Sequence, residues 1–341
     1  MKRKLITTVL LLPCLASALQ AADAADDFSL RPNIHGALRA RYEMATGNGH
    51  AGEERFQVRN ARLSIDGRVA PSIAYFIQTD LCDRGKMKIL DAWGRLALST
   101  KFDVQAGQFR LPFGTDVYRA PSNYIFSNRS FLGKNMCNYR GVGARLGWHP
   151  SKLLSIEAGA FNPTSMGDHE VWVRDLAYSG RVVLTHSGFT LATGAQSLLP
   201  DGTRCNLTGA SLGWTRGRWQ LEGEWMMKHY CHSDLSDAHA WVCWANYTMP
   251  AHIGVFNQAS VQGRVDGLTD HSNGVHNADG LLTVTDPART RLTLGGTLTY
   301  SYRNVHADLR LSYEAYFYRH DLTPASATDA SKVCAEMIIR F

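Results

Sequence analysis

Beyond its first twenty or so residues the chain has no apolar run of about eighteen residues, which excludes a membrane-crossing helix. Lysine is scarce, nine residues against twenty-seven arginines, and with 36 basic and 30 acidic side chains there is no single-signed field of the kind that holds nucleic acid. No phosphate-cradling glycine loop, haem or iron–sulfur ligand pattern or nucleic-acid motif is present, so neither a cofactor nor a nucleic-acid partner is expected. Enzyme signatures are equally thin. Gly209 to Gly213 has the spacing of a serine-hydrolase elbow but lies inside an alternating run ending at Trp214, where that motif needs a sharp strand-to-helix turn. His229, Cys231 and His232 lack a second pair at zinc spacing, and a solvated loop accounts for them. Calcium in the loop from Asp266 to Asp279 has little in the sequence to support it.

What is present begins with an export signal. Lys2, Arg3 and Lys4 precede an apolar stretch from Leu5 to about Leu19 and a small-residue region at Ala21 to Ala25. Cleavage is expected between residues 20 and 25, leaving a single domain over 26–341.

Within that domain the decisive signal is a period of two. From Arg291 to Tyr302 the even positions Leu292, Leu294, Leu298, Tyr300 and Tyr302 are oily, and the odd positions Arg291, Thr293, Thr297, Thr299 and Ser301 are polar. Val305 to Phe317 repeats this in opposite parity, with His306, Asp308, Arg310, Ser312 and Glu314 on the polar side. Strands sort side chains by face in this way and helices do not. The runs suit tilted strands crossing a bilayer, roughly 9–11 residues, and aromatics such as Trp214, Trp219, Tyr300 and Tyr302 gather at their ends like an interfacial girdle. A soluble sandwich would show the same alternation; run length and the aromatics favour a transmembrane antiparallel β-barrel.

The pattern gives strands at about 33–43, 55–69, 72–81, 87–98, 102–110, 140–149, 153–161, 173–185, 188–198, 206–215, 218–228, 240–249, 252–264, 289–302, 304–318 and 332–341. That is sixteen, with fourteen or eighteen left open. An even number closes a bacterial barrel without an exposed edge, and one this wide holds water unless plugged. The connection between Leu111 and Tyr139 is long enough to expect a task of its own. Periodicity does not decide between folding into the lumen and lying outside as a lid.

Several segments then carry a family resemblance: RFQVRNARLSIDG from Arg55, followed by AYFIQTDL, KILDAWGRL and VQAGQFRLPFG up to Gly114. FSNRS, YRGVGARLGW, AGAFNP, RVDGLTDHSNG, LSYEAYFYR and the terminal MIIRF follow in the same order. This resembles the phosphate-selective porin O and P family, especially its Bacteroidetes branch. The resemblance implies a sixteen-stranded trimeric porin of the Gram-negative outer membrane, with an inward third extracellular loop and a lumen favouring anions. The dense lysine cluster of phosphate-binding members has no counterpart here, so phosphate itself is not implied.

The residues add their own support for anions. Guanidinium presents a permanently charged fork to oxyanions. By strand face, Arg39, Arg41, Arg62, Arg95 and Arg110 point to the polar side, and Arg129, Lys134 and Arg140 lie in or beside the long connection. Arg110, Arg129 and Arg140 are the strongest candidates for a constriction. The opposing reading is that such arginines brace the wall against Glu43, Asp66, Asp80 and Asp91 nearby. The expectation is passive diffusion of small, preferentially anionic solutes through an arginine-lined pore surrounded by outer-membrane lipid and lipopolysaccharide. The alternatives are a general pore, or a barrel whose connections at 229–240 and 265–288 serve surface contacts. Of six cysteines beyond the signal, Cys243 and Cys334 fall within strands, while Cys82, Cys137, Cys205 and Cys231 fall in or near connections and are candidates for pairing.

Overall fold

The computed structural model describes residues 29–120, 123–164, 169–319 and 322–341. The export signal read from the sequence lies outside them. Sixteen strands follow one another: β1 (Asn33–Ala45), β2 (Glu54–Ala70), β3 (Ile73–Asp83), β4 (Lys86–Ala97), β5 (Phe102–Arg110), β6 (Arg140–Trp148), β7 (Leu154–Phe161), β8 (Ala177–His186), β9 (Phe189–Leu198), β10 (Cys205–Arg216), β11 (Trp219–Tyr230), β12 (Ala238–Ile253), β13 (Phe256–Leu268), β14 (Arg289–Tyr302), β15 (Val305–Tyr318) and β16 (Lys332–Arg340). Each pairs antiparallel with its sequence neighbours, and β1 pairs with β16, closing the sheet. Closure leaves no strand edge to lipid, which is what an irregular or open sheet cannot achieve in hydrocarbon.

The oily face points outwards. Leu292, Leu294, Leu309 and Leu311 are exposed while Arg291, Thr293, Asp308 and Arg310 are buried, the inverse of a soluble sandwich. Connections alternate between short turns at one end and long ones at the other, the pattern of an outer-membrane barrel.

The segment between β5 and β6 runs inside the ring of strands. At its start Gly114 takes φ +76°, and a Cβ there would stand 2.7 Å from Met226 Cε and 3.2 Å from Glu224 Oε1, so only glycine fits this turn. The next two amides, Thr115 N and Asp116 N, donate to Glu224 of β11 at 2.6 and 2.8 Å. Phe113, Val117, Phe131, Leu132 and Met136 are buried among Phe161, Leu207, Met226, Tyr230 and Ala240, forming an apolar core inside the barrel.

Three sequence expectations need correction. The eighth strand starts at Ala177, not near 173, because the alternation of Val171 and Val173 belongs to a connection. β12 runs on through Pro250 to Ile253, where a register shift accommodates the missing amide. The candidate cysteine pairs do not form: all six described cysteines are free, Cys82 lies within β3, and Cys205 opens β10.

Candidate functional site

Two inward carboxylates organise the barrel interior. Glu336 on β16 accepts from Arg39 Nη2 and Arg41 Nη2 at 2.7 Å each and from Arg310 Nη1 at 2.9 Å. These arginines then donate to the inward segment: Arg39 and Arg41 to Ser127 O at 2.9 and 2.6 Å, Arg310 to Tyr124 O at 2.6 Å. Asp266 on β13 plays the same part. It accepts from Arg291 Nη2 at 2.7 Å and from Phe131 N at 2.8 Å, while Arg264 and Arg291 donate to the carbonyls of Asn128 and Arg129 at 2.7 and 2.6 Å. Each carboxylate offsets the charge of buried guanidiniums, leaving their remaining donors to hold loop carbonyls that would otherwise be orphaned.

Pinned in this way, residues 124–131 leave open space against the β1–β4 wall. A cavity of about 980 Å³ lies there, lined by twelve basic side chains and one carboxylate, Asp83. A second, of about 580 Å³, reaches the short-turn end beside His35, Asn304, His306 and Arg340. Arg62 lines both. Sharing that guanidinium, the two spaces form the candidate path through the lumen.

Of the residues singled out from sequence, Arg39, Arg41, Arg62, Arg110, Arg129, Lys134 and Arg140 line the larger cavity, and Arg95 lines neither. Arg62 is braced by Asp80 at 3.0 Å and Arg140 by Asp91 at 3.1 Å. Lys134 pairs with Asp329 at 3.0 Å; burial works against the Asp329 charge, but Lys134 holds it below the usual carboxylate range. Arg110 and Arg129 differ. Both donate to Val117 O, Arg129 also to Arg119 O at 3.2 Å, and Arg129 stacks over Tyr124 at 4.6 Å. Neither has a carboxylate partner among the described residues, so their charge faces the cavity without local compensation.

Sequence reasoning missed Arg55, Arg59, Arg84, Lys88 and Arg291. Arg59 escaped because pairing steps from Arg39 with Asn60 to Ala40 with Val58, making Arg59 the extra residue of a bulge that turns it into the lumen. A second bulge at Leu90 of β4 brings Leu90 and Asp91 inside together. Among the described residues no three His, Cys, Asp or Glu side chains are grouped to hold a metal ion.

With this geometry in hand, the comparisons fall into place. Residues 29–171 match the family model described as Phosphate-selective porin O and P. The chain has the fold of an outer-membrane porin, and its first seven strands match that family. Residues 29–171 hold β1 to β7, and this match together with the porin-like barrel supports a passive diffusion channel. Similar solved structures include the anion-selective porin from Comamonas acidovorans, 11% identical with TM-score 0.62, covering 91% of this chain and 98% of that one. The outer-membrane channel DcaP of Acinetobacter baumannii is 11% identical with TM-score 0.61, covering 93% and 99%. OmpT of Vibrio cholerae in its trimer form is 12% identical with TM-score 0.58, covering 91% and 98%. At such identities these likenesses speak for the fold. No curated protein matches the porin.

One buried cluster at the long-loop end of the porin stands apart from the path. His271 lies between Asp286, 3.2 Å from Nδ1, and Lys228, whose Nζ is 3.2 Å from Nε2, and both His271 and Lys228 are fully buried. An ammonium facing Nε2 requires the proton on Nδ1, directed at Asp286. Burial pushes His271 below the ordinary histidine value, Asp286 opposes that, and Lys228 and Arg289 add to it. A depressed histidine favours the neutral folded form, so its stabilisation is complete above about pH 6.5 and is lost as pH falls through the folded value. Asp286 also accepts from Asn135 of the inward segment at 2.7 Å. Amides of 269–288 are therefore expected to show lower protection factors, measured against intrinsic base-catalysed exchange, at pH 5 than at pH 7.5. His271→Gln should flatten that dependence; equal protection factors at both pH values in the native protein would refute the coupling to His271.

Proposed function

We propose that this porin passes small anions in preference to cations, with inorganic oxyanions and small organic carboxylates as the solute class. The excess of twelve basic side chains over one acidic in the larger cavity carries the reading. Rings of arginine replace part of an anion's hydration and lower its electrostatic barrier, while repelling cations over the same distance. Arg110 and Arg129 supply the uncompensated charge, Arg62 relays between the cavities, and Arg39, Arg41 and Arg140 shape the wall. Lys134 and Arg59 extend the field towards the mouth.

The reversal potential of the refolded porin in a planar bilayer under a KCl gradient tests this. Chloride preference, with added phosphate reducing the current, is the expected result; cation preference overturns it. Assembly as a homotrimer within outer-membrane lipid and lipopolysaccharide belongs to the same proposal. It draws on the trimeric form of the similar Vibrio barrel.

A further inference from the structure

The short-turn rim of the barrel is basic, whereas at the other end exposed acids are mixed with exposed cations such as Arg84, Lys86, Arg174 and Arg319. Seven short connections, at 71–72, 98–101, 149–153, 187–188, 217–218, 254–255 and 303–304, join strands at one end. In and beside them stand Arg68, Lys101, Lys152, Arg216, Arg218 and Arg303, all exposed, and no Asp or Glu lies in any of the seven. At the other end Glu53, Asp234, Asp237, Asp270 and Asp279 are exposed in the long connections. None of the six cations has an ion-pair partner among the described residues. Arg218 reaches only the Tyr247 hydroxyl at 3.5 Å, and Arg303 lies over the Tyr302 ring at 5.4 Å.

Five of the six cations have an exposed apolar residue one position away. Val69 follows Arg68, Phe102 follows Lys101, Leu153 follows Lys152, Trp219 follows Arg218, and Tyr302 precedes Arg303. Phe102 stacks with Trp148, Phe189 tilts against Trp214, and Trp219 lies against Tyr247, placing aromatic pairs at the same level. Aromatic girdles mark the headgroup level of a barrel. Long cationic side chains beside them lay their stems on apolar surface and their charges among headgroups.

We propose that the short-turn rim binds anionic phospholipid headgroups, forming a ring of phosphate contacts in the leaflet that this end faces. A soluble acidic partner would call for a patch on one side. These cations instead follow the circumference from the β2–β3 turn to the β14–β15 turn, five of the six beside an exposed apolar group, and a surrounding planar surface fits that arrangement. The proposal does not depend on which ions the lumen prefers.

The test uses the protein refolded into phosphatidylcholine vesicles containing brominated phosphatidylglycerol or, at equal mole fraction, brominated phosphatidylcholine. Trp148, Trp214 and Trp219 at this rim report nearby bromine. The relative lipid association constant is expected to favour phosphatidylglycerol several-fold, to fall at high salt, and to approach one when Arg68, Lys101, Lys152, Arg216, Arg218 and Arg303 are all changed to Gln. Should that variant fail to insert, Arg216→Gln with Arg218→Gln, beside two of the reporters, should still lower the ratio. Equal quenching by the two lipids, or a preference unchanged in the variants, would overturn the proposal.

Discussion

Changing Arg110→Gln together with Arg129→Gln is expected to lower the anion-to-cation permeability ratio by roughly tenfold, from Coulomb energies of about 0.8 kcal/mol per charge at 5 Å in a water-filled lumen. These two arginines are the right pair because their own contacts are to carbonyls, those of Val117 and Arg119, and not to carboxylates. Removing Arg62 or Arg140 instead would leave Asp80 or Asp91 behind, so the local field would change by a mixture of lost cation and unmasked anion. Arg95→Gln is the internal control, since Arg95 lines neither cavity. Reversal potentials under a KCl gradient decide the matter. A double variant with the native ratio would show that the passing ion does not sense these charges and would move the search to Arg59 and Arg62.

Smaller solutes should feel the loss less at high ionic strength. The Debye length shortens from about 10 Å at 0.1 M to about 3 Å at 1 M, so the native and variant ratios are expected to converge as salt rises. The same screening acts less on the clamps on Glu336 and Asp266, whose carboxylates have no exposed surface.

Why the barrel was so legible follows from where its apolar side chains point. Lipid tolerates polar residues poorly, so Leu292, Leu294, Leu309 and Leu311 keep strict alternation over whole strands, and fourteen of the sixteen strand starts lie within two residues of expectation, β8 and β13 each starting four residues late. The misfit at β8 arose where Val171 and Val173 imitate that alternation outside the sheet. Pro250 misled in the opposite sense, since proline usually ends a strand and here the register slips around it.

The interior was less legible because a period of two cannot register an added residue. The bulge at Arg59 flips parity locally, so an arginine that reads as lipid-facing enters the lumen. Arg291 and Arg310 were placed on the polar face by parity alone, but their targets include backbone carbonyls of the inward segment, those of Arg129 and Tyr124. Nothing in a strand pattern says that a loop comes to meet it. The only local hints are Gly114, which allows the entering turn, and the high apolar content of a connection containing Phe113, Val117, Phe126, Phe131 and Met136.

The inward segment should yield most completely to Glu336→Gln. Glu336 is surrounded by Arg39, Arg41 and Arg310, each nearly fully buried, and it supplies the negative charge in that group. Neutralising it leaves Arg39 and Arg310 facing an amide, and Arg41 with Glu43 at 3.2 Å as its remaining carboxylate. Breaking a buried ion pair from one side typically costs about 3–5 kcal/mol, because the remaining charge is left without compensation. Much of that cost is relieved if the arginines turn towards water, and in doing so they release Ser127 O and Tyr124 O. The variant is therefore expected to keep its β-sheet circular-dichroism signature, to unfold at lower urea concentration, and to show larger, noisier single-channel currents as residues 124–128 leave the β1–β4 wall. Because Arg110 and Arg129 are not bound to Glu336, anion preference should weaken less than conductance rises. A variant with native conductance and native urea midpoint would mean that the Asp266 clamp alone holds the segment, and Asp266→Asn would then be expected to show the full effect.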